Sequence, residues 1–295
     1  MVSADVFRTV WESTEPEVRH EILVTVIRMR QIMNTSALTI TFIGHSTVLI
    51  DMGGVKVLTD PVFSNRIAII NKRHQSPGMT IEQLPPLDAV IISHAHYDHY
   101  DYPTLKQIDA GRPVIFPQRT TCFNRSLKKR HVVELDHWQT WEKDALKITA
   151  VPAKHFNGRY IIDGLFRIST GYVLEHNPYA VYFAGDTAYS GFFKEIGNRF
   201  NLDVALLPIG SYRPSLIMRW NHLRPEQAVM AFEDTGADYL MPIHWGTFRL
   251  SLEPLHEPIA RLNQIMAKRG ITDRVIIRQP GEAWRLEKNK RSGAV

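Results

Sequence analysis

The heptapeptide SHAHYDH, residues 93–99, is the stretch from which both fold and chemistry can be predicted. Its first residue, Ser93, ends the apolar run DAVIIS (residues 88–93), which has the composition of a buried strand. The motif places the imidazoles of His94, His96 and His99 and the carboxylate of Asp98 on one short loop. These are the ligand types that a borderline cation such as Zn²⁺ accepts. We therefore predict a metal site beyond the end of this strand.

Three more residues of the same kind follow apolar runs elsewhere in the chain. His155 comes after ALKITAV (145–151), Asp186 after YAVYFAG (179–185) and His244 after DYLMPI (238–243). Taken singly, each is as readily an ordinary core or loop residue. Ligands collect beyond the carboxyl ends of strands, however, so the shared position favours convergence on one site. Because one ion takes about four ligands, convergence of all of them predicts two ions.

The remaining pattern alternates between short strands and helices. Gly44, Gly53 and Gly54 separate the runs LTITFI, STVLID and VKVLTD, which predicts antiparallel hairpins. Helices are predicted over residues 102–108, 190–200, 225–234 and 255–268, with Pro103 and Pro225 near the first turns of two of them. This mixture predicts an α/β (α+β) fold in which helices cover β-sheets.

Composition narrows the class of protein. The chain of 295 residues has one cysteine, Cys122, so no intramolecular disulfide can form, which favours a reducing compartment. No apolar run is long enough to span a membrane and no secretory signal is evident, so we expect a cytoplasmic protein. The net charge of +5 favours an anionic substrate or partner. No nucleic-acid-binding motif is present, so we do not expect nucleic acid to be that partner.

The chain is predicted to have three parts. Residues 1–37 form an N-terminal extension in which residues 5–33 have the pattern of a basic amphipathic helix. Docking on the body of the protein is the first interpretation of this helix, and peripheral contact with a membrane surface or homodimer formation are the alternatives. Residues 38–286 form the main domain, and residues 287–295 a basic tail.

Five motifs, in their order along the chain, resemble the metallo-β-lactamase superfamily: FIGHSTVLID, LTDP, SHAHYDH, FAGDT and PIHWG. The resemblance covers roughly residues 38–268 and implies an αββα sandwich, in which two mixed β-sheets are flanked by helices. Within the superfamily, LPPLDAVIISHAHYDHYDY, NHLRPEQAV and IHWGTF resemble the N-acylphosphatidylethanolamine-hydrolysing phospholipases D and their bacterial relatives.

The resemblance implies a division of the ligands between two zinc ions. His94, His96 and His155 would hold the first ion, Asp98, His99 and His244 the second, and Asp186 would bridge them. Ligand type also permits Mn²⁺ or Fe²⁺. Asp60 in LTDP would hold a ligand imidazole in place, although an aspartate that caps the turn before Pro61 explains it nearly as well.

Other polar residues are candidates for substrate handling. His222 in WNHLRPEQAV matches the subgroup's active-site histidine and is predicted to deliver a proton or to position the substrate; a helix-capping or surface role is the alternative. Tyr212 and Arg213 follow a strand end and are predicted to lie near the substrate phosphate. The role of His45 in GHST stays open.

These residues predict a binuclear zinc hydrolase, with Asp98, Asp186 and His222 as its catalytic residues. A phosphodiesterase of the phospholipase D type, acting on N-acylphosphatidylethanolamine-like lipids through a metal-bridging hydroxide, is the first hypothesis. The alternative is a dizinc lactonase or ester hydrolase that acts on a small, phosphorylated or unphosphorylated, metabolite. The segment after His155, FNGRYIIDGLFRISTGYV, departs from the phospholipase pattern, so acyl-chain recognition does not carry over. A nuclease and a metal-stabilised scaffold are the weaker hypotheses.

Overall fold

The computed structural model describes residues 37–68, 70–108, 110–121, 130–156, 158 and 168–288, together with Glu15 and Val18. Of the predicted N-terminal extension, only Glu15, Val18 and Ala37 fall within these ranges. Apart from Glu15 and Val18, the helix predicted over residues 5–33 lies outside the described residues, as do Cys122 and the tail beyond Lys288.

The described residues form the following strands: β1 (Leu38–Gly44), β2 (Thr47–Met52), β3 (Val55–Thr59), β4 (Arg66–Ile67), β5 (Asn71–Lys72), β6 (Ala89–Ile91), β7 (Val114–Pro117), β8 (Val132–Leu135), β9 (Thr140–Lys143), β10 (Leu146–Pro152), β11 (Thr170–His176), β12 (Tyr179–Phe183), β13 (Val204–Pro208), β14 (Tyr239–Ile243) and β15 (Ala283–Leu286). The helices are α1 (Tyr102–Gln107), α2 (Phe192–Arg199), α3 (Ser215–Met218), α4 (Pro225–Thr235) and α5 (Glu257–Arg269), and Thr272–Arg274 form a 3₁₀ turn.

Strands from both ends of the main domain build the first sheet, in the order β15-β1-β2-β3-β6-β7-β8. The hairpins predicted from the glycine-separated runs are confirmed, because β1 pairs with β2 and β2 with β3 in antiparallel register. Beyond β3 the sheet is parallel through β6, β7 and β8. As a result, β1, β3 and β6 all run in the same direction.

The second sheet has the order β14-β13-β12-β11-β10-β9. Its strands β10, β11 and β12 pair antiparallel, whereas β12, β13 and β14 pair parallel. Consequently β10, β12, β13 and β14 all point the same way, and the loops that follow these strands leave the sheet at one edge.

The core lies between the two sheets and continues under the helices. Strand alternation turns Ile40 and Ile50 toward the second sheet, where they join one buried cluster with Ile148 and Val181. The opposite face of the first sheet packs with Leu105 of α1 in a separate cluster. Helices α2 and α4 contribute to the core on the side of the second sheet. The predicted αββα sandwich is therefore confirmed.

The four predicted helices are confirmed to within two residues at either end. Strands β4, β5, β7, β8, β9, β11 and β15 and helix α3 were not among the predicted elements. All of them except β11 are four residues long or shorter, and β11 contains Gly171 and ends in polar residues, so none carries a strong apolar period. Within the described part of the chain, no helix is both long and apolar enough to cross a bilayer.

Candidate metal centre

Side chains that follow strand ends converge at one edge of the sandwich. The parallel directions of β3 and β6 in one sheet, and of β10, β12 and β14 in the other, bring the loops after these strands together. The structure thereby assembles the predicted ligands into overlapping groups whose ligand atoms lie within 4.8 Å of one another. The residues in these groups are His45, His94, His96, Asp98, His99, His155, Asp186, His222 and His244.

The first group consists of three imidazoles that turn ring nitrogens toward one another. Nδ1 of His96 lies 3.0 Å from Nε2 of His94 and 3.1 Å from Nε2 of His155. The other ring nitrogens of His94 and His155, their Nδ1 atoms, have hydrogen-bond partners outside this group. His155 donates from Nδ1 to the carbonyl oxygen of Asn221 at 2.8 Å, and Nδ1 of His94 lies 2.9 Å from the hydroxyl of Ser93.

The protonation pattern that follows leaves a place for a cation. Ser93 donates its hydroxyl proton to Asp60 at 2.6 Å, so its oxygen accepts from Nδ1 of His94. With protons on Nδ1 of His94 and His155, both Nε2 atoms carry lone pairs. Nδ1 of His96 lies about 3 Å from both atoms and carries at most one proton, so it cannot satisfy both lone pairs, whereas a cation among the three nitrogens can. This arrangement fits a metal ion held by His94, His96 and His155.

The second group surrounds the carboxylate of Asp98. Its Oδ2 lies 3.3 Å from Nε2 of His99 and 3.3 Å from Nε2 of His244, and His45 donates to it from Nε2 at 2.9 Å. Both His99 and His244 are buried, and their Nε2 atoms have no hydrogen-bond partner among the described residues. Buried nitrogens without a partner are rare, so these two fit metal ligation.

Asp186 lies between the two groups. Its Oδ2 is 3.1 Å from Nε2 of His244 and 3.2 Å from Nε2 of His99, and it is 3.9 Å from Nε2 of His94 and 4.0 Å from Nε2 of His155. Oδ1 of the same carboxylate is buried and has no hydrogen-bond partner in the described part of the molecule. One carboxylate thus faces imidazoles of both groups, which is the position required of a bridging ligand.

A buried aspartate, Asp60, accepts a hydrogen bond from the ring nitrogen of His99 that faces away from the centre. Asp60 is fully buried and accepts hydrogen bonds from the backbone and hydroxyl of Ser93, at 2.7 and 2.6 Å, and from Nδ1 of His99 at 2.6 Å. Burial raises the pKa of Asp60, while His99 and Ser93 act in the opposite direction. Because Asp60 accepts the proton of Nδ1, His99 turns Nε2 toward Asp98 and Asp186, where that nitrogen can offer its lone pair to a cation.

The electrostatic field of the site favours positive charge. Burial alone would raise the pKa of Asp186, yet the imidazoles of His244, His99 and His222 hold it well below its usual range. Burial also opposes protonation of His244, but Asp186 and Asp98 raise the pKa of that imidazole to about 9. In contrast, burial and neighbouring imidazoles lower the pKa of His94 and His155 well below the ordinary value. The carboxylates therefore stay ionised and attract cations.

The backbone around the centre adopts uncommon conformations. His45, Asp60 and His244 have φ values of 58°, 31° and 58°, in the left-handed region that non-glycine residues seldom occupy. Gly185, which precedes Asp186, has a φ of 59°, and a Cβ atom there would collide with Cβ of Ser93. These positions let the loops of the two sheets approach each other closely, and such conformations cluster at functional sites.

His222 lies against the first group rather than at the surface. Its exposed fraction is 7%, its Nδ1 lies 3.7 Å from Oδ2 of Asp186, and its ring packs edge-on against His155. Burial, the largest effect, lowers its pKa to about 4. The N-cap position of the following helix α4 is taken by Arg224. The structure thus places His222 beside the predicted ligands, where its catalytic role stays a prediction.

Tyr212 and Arg213 belong to a neighbouring network of acidic side chains. Tyr212 is buried and donates its hydroxyl to Glu257 at 2.9 Å, and Arg213 pairs with the same carboxylate at 2.6 Å. Their backbone amides donate to Glu253. The structure does not bring either side chain into the groups of ligand atoms, and a contact of either residue with substrate stays a prediction.

His45 and Asn221 are residues of the site to which the sequence assigned no role. His45 follows β1, as the predicted ligands follow their strands, and this position is the signal that could have singled it out. Burial, together with His244, lowers the pKa of His45 to about 3, so its ring is neutral. Asn221 acts through its backbone carbonyl, and no side-chain pattern reveals such a contact.

Comparison with known proteins identifies the family. The profile of the Beta-lactamase superfamily domain matches residues 55–245, which is more than half of the chain. The chain belongs to the metallo-β-lactamase superfamily. The matched region contains every predicted metal ligand, from His94 to His244.

Relatives within this superfamily include a phospholipase. An N-acyl-phosphatidylethanolamine-hydrolyzing phospholipase D of Caenorhabditis elegans is 33% identical over 270 residues, which cover 84% of this chain and 76% of the relative. An uncharacterized protein of Mycobacterium tuberculosis is 37% identical over 243 residues, 78% of this chain, and the match spans only 64% of that relative's length.

A solved structure supports the fold. Igni18, a metallo hydrolase from the archaeon Ignicoccus hospitalis, superposes with a TM-score of 0.66 at 23% identity, covering 86% of this chain and all of that one. The chain thus combines membership of this superfamily with a His/Asp cluster able to hold metal ions.

Proposed function

We propose that this superfamily member is a binuclear zinc phosphodiesterase of the phospholipase D type that acts on N-acylphosphatidylethanolamine-like lipids. The observation that carries the proposal is the position of Asp186, whose Oδ2 faces His99 and His244 on one side and His94 and His155 on the other. A carboxylate shared by two sets of imidazole nitrogens is suited to two adjacent cations.

The chain's own residues would hold and orient this centre. His94, His96 and His155 would bind one zinc ion, Asp98, His99 and His244 the other, and Asp186 both; Mn²⁺ and Fe²⁺ suit the same ligands. When bound, a pair of such ions lowers the pKa of water toward neutrality and stabilises negative charge on a phosphoryl oxygen. No side-chain nucleophile is then required.

His222 is placed to serve the leaving group. It is buried beside Asp186 and His155, and its Nδ1 has no hydrogen-bond partner among the described residues. The lowered pKa of about 4 means that it is neutral at pH 7, with one nitrogen able to donate and one able to accept. We assign it to proton exchange with the leaving-group oxygen or to holding that oxygen in place.

The surface next to the centre favours an amphiphilic substrate. Phe156, Leu216, Ile217 and Trp220 are 50%, 76%, 65% and 57% exposed, and we call these four residues the apolar patch. The patch adjoins the centre, because Phe156 follows His155 and its amide donates to the side chain of Asn221, the residue after Trp220. Exposed apolar side chains grouped beside a catalytic site suit contact with acyl chains or a membrane surface.

Cationic side chains line a cavity that includes part of the apolar patch. A cavity of about 410 Å³ is lined by Lys154, Tyr189, Ser215, Leu216, Arg219, Trp220, Arg224 and Gln227. Lys154 and Arg219 lie over the ring of Trp220, 5.1 and 4.9 Å from its centroid. Their charge suits an anionic phospholipid or an anionic bilayer. Membrane contact through the predicted N-terminal helix and homodimer formation remain parts of the proposal that rest on the sequence.

The same cavity gives a second candidate its support. Three cationic side chains without a carboxylate among the lining residues would also suit a phosphorylated metabolite, so a dizinc lactonase or ester hydrolase is the alternative. The two candidates differ in what the apolar patch would do, because a small metabolite has no acyl chain to place on it.

The test combines metal analysis with a substrate panel. Purified protein is expected to carry close to two equivalents of transition metal and to release N-acylethanolamine from N-acylphosphatidylethanolamine in vesicles. Hydrolysis restricted to homoserine or sugar lactones would favour the alternative, and one metal equivalent or none would contradict the binuclear centre.

A pair of variants tests the patch. Leu216→Ser combined with Trp220→Ala should raise KM for the lipid in vesicles more than for a water-soluble short-chain phosphodiester. Ile70→Ser, at a side chain that is 78% exposed on the loop between β4 and β5, serves as the matched control and should change neither value. Equal effects on both substrates would count against lipid contact at the patch.

A further inference from the structure

The least explained residue of the centre is His45, a buried histidine in the turn between β1 and β2. Its exposed fraction is 1%, and its φ of 58° lies in the left-handed region. Nε2 lies 2.9 Å from Oδ2 of Asp98, closer than either of the two imidazoles that face the same oxygen at 3.3 Å. The predicted set of metal ligands does not use it.

His45 contacts a second predicted ligand through both its backbone and its ring. Its carbonyl oxygen accepts a hydrogen bond from the amide of His244 at 2.9 Å. The two rings lie 4.1 Å apart between centroids, and Phe248 packs edge-on against the other side of His45 at 5.2 Å. One residue thus touches Asp98 and His244, which arrive from different sheets.

The hydrogen bond to Asp98 fixes the tautomer of His45. Because a carboxylate oxygen can only accept, Nε2 of His45 carries the proton. A protonated nitrogen has no lone pair for a metal, and the other nitrogen, Nδ1, is buried without a partner among the described residues. His45 therefore donates to Asp98 through Nε2 in this arrangement, and that nitrogen is not a metal ligand.

We propose that His45 is a positioning residue that orients the carboxylate of Asp98 toward the second metal ion and, through the backbone hydrogen bond, helps to place His244. The inference rests on the proposed binuclear centre and adds to it a residue outside the ligand set. Asp98 lies on a turn after β6, so its side chain gains orientation from the donor that reaches it across the sheet. Hydrogen-bonded partners of ligands typically change metal affinity about 10- to 100-fold when removed.

The experiment measures the two metal affinities of the full chain, by competition with a chelating dye, and the visible spectrum of the Co²⁺-loaded protein. His45→Ala is expected to weaken the second equivalent at least 10-fold and to leave the first within 3-fold. His45→Gln restores an amide donor with nearly the reach of Nε2, and should recover the second affinity to within 3-fold of wild type. Phe248→Leu removes ring packing on His45 but keeps its donor, and should behave as wild type.

The backbone conformation calls for a second loss-of-donor variant. His45→Asn tolerates the left-handed region but is too short to reach Asp98, so it should match His45→Ala; it replaces that variant if the alanine protein fails to fold. Wild-type affinity for the second metal in either variant would overturn the proposal. A glutamine variant as defective as alanine, with a changed Co²⁺ spectrum, would also overturn it, because the ring itself would then be a ligand. Absence of a second equivalent in the wild-type protein would instead refute the binuclear centre.

Discussion

Replacing Asp60 with asparagine tests whether the hydrogen bond that Asp60 accepts from the predicted ligand His99 controls metal binding. The substitution keeps size and tolerates the left-handed φ of 31°. In the wild type the carboxylate accepts from Ser93 twice and from Nδ1 of His99. If the oxygen of the new amide keeps the bond to the Ser93 backbone, the NH₂ group of that amide faces the hydroxyl of Ser93 and Nδ1 of His99. Ser93 can accept there, but a protonated Nδ1 cannot.

His99 then has two responses, and both weaken the metal site. If it keeps its proton on Nδ1, a buried donor loses its acceptor, at a cost of about 1–3 kcal/mol. If it moves the proton to Nε2, the nitrogen that faces Asp98 and Asp186 loses its lone pair. Since roughly 1.4 kcal/mol corresponds to a tenfold change in an equilibrium constant, the expected loss of affinity for the second metal is about 5- to 150-fold.

The assay is competition with a chelating dye, fitted for two sites, with urea unfolding of the metal-free protein alongside. Asp51→Asn is the matched control, because Asp51 accepts from the amide of Gly54 and is partly exposed. It should leave both affinities unchanged. Equal second-site affinity for Asp60→Asn and Asp51→Asn would refute the argument that Asp60 sets the tautomer of His99.

Two further substitutions test the bridge and the close approach of the loops. Asp186→Ala should retain the circular dichroism spectrum but lower turnover by roughly two to three orders of magnitude or more, as expected when a central electrostatic element is lost; activity near the wild-type rate would exclude a bridging role. Gly185→Ala should reduce the unfolding free energy by about 2–4 kcal/mol, from overpacking on Ser93 and the left-handed backbone. Gly191→Ala, where nothing lies within 4 Å of an added Cβ, should change it by roughly 1 kcal/mol or less, and similar urea midpoints for the two variants would contradict the packing argument.

The positions of His155, Asp186 and His244 could be predicted because each follows a long apolar run. A strand of Val, Leu and Ile is recognisable from composition alone, and the strand-end rule then places the next polar residue at the edge of a sheet. The rule worked because β10, β12 and β14 share one direction. The direction itself came from the resemblance to a known fold, since apolar runs do not encode how strands pair.

Contacts that depend on pairing or on the backbone could not be predicted. The bond from His155 to the carbonyl of Asn221 joins positions 66 residues apart and involves no distinctive side chain. Helix α3, which carries Leu216 and Ile217, is only four residues long and none of its residues is buried, so no apolar period marks it. Likewise, β8 and β9 are short and largely uncovered, and edge strands of this kind resemble loops in sequence.

The origin of the ligands links metal binding to the packing of the two sheets against each other. His94 and His99 follow β6 in the first sheet, whereas His155, Asp186 and His244 follow strands of the second. Neither sheet alone supplies both sets of ligands, so a cation that binds this centre binds the closed sandwich and not the separated sheets. Ligand binding of this kind stabilises the native state by RT ln(1 + [L]/Kd), about 2.7 kcal/mol when the free metal is at 100 times its Kd.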